Sequence, residues 1–208
     1  MCVHENGVAS TTGYTVGFID TLWPILFVLA LSVLFWIFRE KIRNTKARQI
    51  LPYVFLGLMV IFEISLFITI FKAPFVHICD TLSHLPLHLC STSAVLIIIY
   101  LSTKKHIFLE ILFIQGIVGA LVTFIFPSTA SFPYEYDYWR FFLSHTLLYL
   151  VPIYYFIIEG FRVNKRILII AFVSSHAFAA VAVGVNFLAD THYMYLNTDN
   201  ASNLFSFI

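Results

Sequence analysis

The sequence predicts an all-α, polytopic membrane bundle of about six transmembrane helices with its N-terminus outside, and three observations predict it. Of 208 residues, 60% are hydrophobic and 11% charged, and the mean hydropathy is +0.90, far from the averages of soluble domains. Apolar runs near 20–38, 51–71, 85–102, 106–126, 138–159 and 166–188 approach or reach the length of about 20 helical residues that crosses a hydrocarbon core. Ten of the twelve lysines and arginines fall on one side of those runs. No soluble domain remains, and without an internal repeat or a low-complexity tract the simplest organisation is a single transmembrane domain over 1–208.

The first fifteen residues carry no basic n-region, so the first helix reads as a retained span rather than a cleaved signal. Arg39, Lys41, Arg43, Lys46 and Arg48 follow it, Lys104 and Lys105 follow the third helix, and Arg162, Lys165 and Arg166 follow the fifth. By the positive-inside rule that side is cytoplasmic, and the N-terminus, the 72–84 loop, the 127–137 loop and the C-terminal tail face outward. These basic residues are spread over short loops, which argues against a nucleic-acid partner and for membrane lipids; no protein partner is indicated. Two of the three cysteines, Cys2 and Cys79, share the outer side, where a disulfide is chemically allowed.

Helix two carries Glu63, whose charge is costly in hydrocarbon and should turn inward toward Arg140 or a histidine. In helix four, Glu110 lies close enough to the cytoplasmic end to reach the interface, and Gln115 with Gly116 and Gly119 reads as close helix packing. Tyr134, Tyr136, Tyr138 and Trp139 mark the outer interface. In helix six, His176 beside Ser174 and Ser175 reads as a neutral, hydrogen-bonded core histidine.

Polar chemistry gathers in two places, His84-Leu85-Pro86-Leu87-His88-Leu89-Cys90 and Phe142-Leu143-Ser144-His145. Helices three and five both run inward. At about 1.5 Å per residue, Cys90 lies about 7–8 Å inside helix three and His145 about 10 Å inside helix five, in one membrane layer. His88 is slightly shallower, and Asn186 ends helix six on the same side, so the sequence predicts an outward-facing polar pocket.

Three chemistries fit this pocket. In the first, Cys90 is an acyl-accepting nucleophile, with Ser91 the spare, and His145 is its base. His88, about 200° around a straight helix from Cys90, orients the substrate or holds an oxyanion, while Arg140 pairs with a lipid phosphate or anchors at the interface. This chemistry calls for no cofactor. In the second, His84 and His88, an i, i+4 pair, hold zinc with His145 or Asp80 and hydrolyse a lipid. In the third, the polar residues line a path in a lipid-binding or transport protein.

The stretches HLPLHLCS, GIVGALVTFIFP, FFLSHTLLYLVPIYYFIIEG and VNFLADTHYMYL, over roughly residues 77–200, resemble the YwaF-like family of integral membrane proteins, whose animal relatives are grouped as transmembrane protein 164. The resemblance implies movement of fatty acyl chains between phospholipids through a cysteine, or hydrolysis of fatty-acid esters. It makes His145 the family histidine, matches His88 to the histidine after the proline, and matches Asn186 and Tyr193 to the terminal motif. In the animal proteins the cysteine directly precedes the histidine that aligns with His88. Here that position is Leu87, and the thiol comes three residues later, at Cys90. The expectation is a membrane-embedded acyltransferase or lipid esterase of the plasma membrane, in a bacterium the cytoplasmic membrane. Its catalytic residues would be Cys90, His145 and His88, and its substrate contacts Arg140, Glu63, Ser91, Asn186 and Tyr193.

Overall fold

The computed structural model describes residues 17–71, 87–127, 132–189 and 193–195. Among them the secondary structure is entirely helical: α1 (Phe18–Ile37), α2 (Arg39–Arg43), α3 (Ala47–Phe71), α4 (Leu89–Thr103), α5 (His106–Ile125), α6 (Tyr136–Ile157), α7 (Lys165–Ala189) and a 3₁₀ turn, Tyr193–Tyr195. Five helices, α1, α3, α5, α6 and α7, have the length and composition of membrane spans, which makes the chain a multi-pass membrane protein. The spans expected in those regions lie within a few residues of these five.

The expected third span is shorter than its apolar run. It begins at Leu89, because His88 is extended (φ −70°, ψ 144°) and serves as the N-cap. The resulting 15 residues extend only about 22 Å. At its other end Lys104 turns into the left-handed region (φ 56°) and returns its N–H to the Tyr100 carbonyl, which stops the helix before α5.

Burial identifies the central helix. In the most apolar stretch of α6, 61% of residues are buried, against 17% in α1, α3 and α7. Helix α6 packs against α1, α3, α4 and α5, whereas α7 leans mainly on α5. The core is built from Phe124, Phe142, Leu148, Val151 and Tyr154 with Val28, Met59 and Ile97. Large apolar side chains such as Phe172, Val181 and Phe187 are exposed on α7, as lipid-facing surfaces require.

Polar bonds tie the two ends. At one end Asp20, a buried carboxylate, accepts from the Gly17 N–H at 2.7 Å and from the Tyr138 hydroxyl at 2.6 Å, and the Trp23 indole donates to that hydroxyl at 2.9 Å. Tyr138 therefore leaves the expected interfacial belt for the core, since its hydroxyl is consumed by α1; Tyr134, Tyr136 and Trp139 remain exposed. All the described basic residues except Arg140 collect at the opposite end. Arg43 donates to the Ile157 and Ile158 carbonyls at 2.7 and 2.8 Å, and Arg48 forks onto Glu159 at 2.6 and 2.8 Å.

Candidate functional site

Close packing between α5 and α6 sets the register of the two helices that carry Thr123 and His145. A Cβ on Gly116 would come 2.8 Å from the Leu148 carbonyl oxygen, so the two backbones touch there and the glycine is required. The helices are antiparallel. One turn from this contact, toward the end opposite the basic loops, lie Gly119 and Ala120 on α5, and Ser144 and His145 on α6.

Cys90 enters the same layer from α4. Its sulfur lies 3.5 Å from the Thr123 hydroxyl and 4.0 Å from the Gly119 carbonyl. Because α4 starts at Leu89, Cys90 is the second helical residue and not one lying more than a turn inside, as the sequence had suggested. It sits in the first turn, where unpaired backbone N–H groups and the helix dipole favour negative charge.

His145 Nδ1 lies 2.7 Å from the Phe141 carbonyl. A carbonyl only accepts, so the neutral ring carries its proton on Nδ1 and presents a lone pair at Nε2. No hydrogen bond joins Cys90 to His145 among the described residues; each sulfur and nitrogen contact is made to its own neighbours. His176 makes the same bond to the Phe172 carbonyl at 2.8 Å, but on the exposed face of α7 and not in the core as the sequence implied. The hydroxyls of Ser174 and Ser175 instead receive Gln115, at 3.1 and 2.9 Å, locking α5 to α7.

Arg140 organises the α3 side. Its Nε donates to Asp137 at 3.0 Å, its side chain is only 15% exposed, and it lies within electrostatic range of both Glu63 and His145. Glu63 and Arg140 form no direct ion pair among the described residues, and the carboxylate that Arg140 binds is Asp137. Nearby, the Tyr136 hydroxyl donates to Ser65 at 3.0 Å.

His88, Asn186 and Tyr193, distant in sequence, form a third group. The Asn186 amide brackets the Tyr193 backbone, donating to its carbonyl at 2.9 Å and accepting its N–H at 2.8 Å. The buried Tyr193 ring stands edge-on to His88 at 5.2 Å, and the Met194 N–H donates to His88 Nδ1 at 3.4 Å. In the neutral ring this leaves the His88 proton on Nε2. Asn186 and Tyr193 were expected as substrate contacts; here they brace His88. Ser91 is half-buried on α4. His84, Asp80, Cys2 and Cys79 lie outside the described residues, among which no group of three metal-ligating side chains occurs.

Sequence reasoning missed two features. Thr123 was overlooked, although its i+4 spacing from Gly119 marks the face that meets Cys90. The other is a cavity of about 330 Å³ at the basic end, lined by Tyr100, His106, Leu109, Tyr155, Glu159, Gly160 and Phe161. Lys104 donates to the Tyr155 hydroxyl beside it at 3.1 Å, and burial lowers the pKa of its ammonium, against the opposing pull of Glu159.

Fold and burial define a polytopic helical membrane protein with a polar layer toward the end opposite its basic loops. A family model described as the TMEM164 family matches residues 13–208, well beyond the 77–200 stretch that carries the motifs. The chain belongs to that family. No match is found among curated proteins or solved structures.

Proposed function

We propose that the protein transfers or hydrolyses a fatty acyl group of a phospholipid or lipid ester at the outer leaflet of the cell membrane, in a bacterium the cytoplasmic membrane. Cys90 is the nucleophile and His145 the general base and acid. What supports this reading is the seat of the Cys90 sulfur against Gly119 of α5, one turn from the Gly116 contact with α6, and the imidazole lone pair that His145, one turn from the same contact, presents at Nε2. Membership of the TMEM164 family supports the acyl chemistry that the motif resemblance implies.

The reaction runs in two balanced steps. His145 Nε2 takes the thiol proton as the sulfur bonds to the ester carbonyl carbon. The tetrahedral adduct then breaks its C–O bond to the leaving lysolipid, whose oxygen receives that proton. In the second step an acceptor hydroxyl, from a lipid or water, gives its proton to Nε2 and attacks the thioester. The C–S bond breaks and the sulfur recovers the proton. His88, braced by Tyr193 and Met194, orients the substrate beside the thiol. Arg140 binds the lipid phosphate, with Glu63 balancing its charge and Ser91 lining the path.

The test is mass spectrometry of the purified full chain in phospholipid nanodiscs. A hydroxylamine-labile acyl adduct is expected at Cys90, absent in Cys90→Ala. In His145→Ala, turnover should fall by about 10²–10⁴-fold, the usual contribution of a positioned base. An adduct that persists in Cys90→Ala refutes the assignment and points to Ser91.

A further inference from the structure

We propose that Thr123 of α5 is the positioning residue for the Cys90 thiol, donating its hydroxyl proton to the sulfur and holding it in the notch beside Gly119. This rests on the reading of Cys90 as nucleophile.

Hydroxyls in this bundle ordinarily turn back onto their own helix. Ser93, Thr103, Thr146 and Ser175 each donate to the carbonyl four residues earlier, at 2.7–2.9 Å, which is the habitual local bond of Ser and Thr in helices. Thr123 departs from that habit. The carbonyl four residues before it belongs to Gly119, and that oxygen is approached by the Cys90 sulfur at 4.0 Å; the Thr123 hydroxyl faces the same sulfur at 3.5 Å. Among the described residues the hydroxyl has no other hydrogen-bond partner; either atom of this pair can donate, and with S–H on the Gly119 carbonyl the hydroxyl proton is the one that crosses the α4–α5 interface.

Gly119 forms the floor of this arrangement. A Cβ there would meet the sulfur in ordinary contact at 3.6 Å, so the sulfur rests directly on this stretch of α5, with Thr123 beside it. In the thiol form, S–H points to the Gly119 carbonyl and the Thr123 O–H to a sulfur lone pair. When His145 removes the thiol proton, the Thr123 O–H remains as donor to the thiolate. Together with the N-terminal turn of α4, it offsets the cost of an anion in this layer. The hydroxyl also fixes the side-chain angle of Cys90, so that the sulfur faces the bundle and not the lipid.

The experiment is alkylation of the full chain in nanodiscs by iodoacetamide across a pH series. The Cys90 peptide is quantified by mass spectrometry, so that Cys2 and Cys79 do not contribute. For Thr123→Val, which keeps shape and removes the donor, the midpoint pH should rise by about one unit, a tenfold loss of thiolate at a given pH. The kcat should fall about tenfold with KM unchanged. Thr123→Ser should restore both, which a merely space-filling role would not predict. A Thr123→Val protein with an unshifted midpoint, in a chain where Cys90→Ala abolishes turnover, overturns the Thr123 assignment alone. Full turnover in Cys90→Ala overturns the acyl-transfer reading and with it any catalytic role for Thr123.

Discussion

Replacing Gly116 with alanine tests the contact that sets the level of the site. The added Cβ would lie 2.8 Å from the Leu148 carbonyl oxygen and 3.0 Å from Leu112 Cδ1. Leu112 can rotate. The carbonyl belongs to the backbone of α6 and cannot, so α5 and α6 must separate by about 0.5 Å or more to restore ordinary contact. Overpacking of this kind costs about 1–3 kcal/mol, set against a gain of up to about 1 kcal/mol for alanine over glycine in a helix. Gly57 and Gly184 supply the control, because a Cβ at either meets nothing within 4 Å. Alanine there receives the helical gain alone. In denaturant titrations of the purified protein, Gly116→Ala should therefore be about 1–3 kcal/mol less stable than Gly184→Ala. Its acyl-transfer rate should fall as well, since the separation moves Thr123 and the Cys90 seat away from His145. Equal stability of the two variants would refute the close-contact argument.

Asn186→Ala removes two buried hydrogen bonds to Tyr193, worth together about 2 kcal/mol. Amide exchange in the Tyr193 peptide, followed by hydrogen–deuterium mass spectrometry, should accelerate about 30-fold; unchanged protection would show that the tail is held by other contacts. Arg48→Gln breaks the fork onto Glu159, but the Arg48 side chain is 50% exposed, so the loss of stability should stay below about 1 kcal/mol. A larger drop in the same titration would mean that this pair organises the basic end. Chelation with EDTA should leave acyl transfer unchanged; activity lost and then restored by zinc would move the chemistry to His84, His88 and His145.

Legibility in the sequence followed the range of each interaction. The site was legible as a list and only partly as an arrangement. The expectation that Cys90 and His145 share a layer came from counting residues along two helices that run the same way. The count nevertheless began four residues too early for α4, since His88 is held extended by a segment more than 100 residues away. Tyr138 shows the same limit: its position beside Tyr136 and Trp139 suggested an interfacial ring, and only the approach of Asp20 and Trp23 draws it inside.

What the sequence determined alone is the bundle of membrane spans, the single basic end and the need for small residues where α5 meets its neighbour. Hydropathy, loop charge and side-chain volume add up along the chain and require no knowledge of what lies opposite. The tertiary structure decided that Cys90 faces Thr123 and Gly119, that Arg140 stands near both Glu63 and His145, and that Asn186 clamps Tyr193 against His88. Each of these depends on how far one helix is rotated and shifted against another. A rotation of a few tens of degrees leaves every hydrophobic pattern intact while exchanging all of these partners.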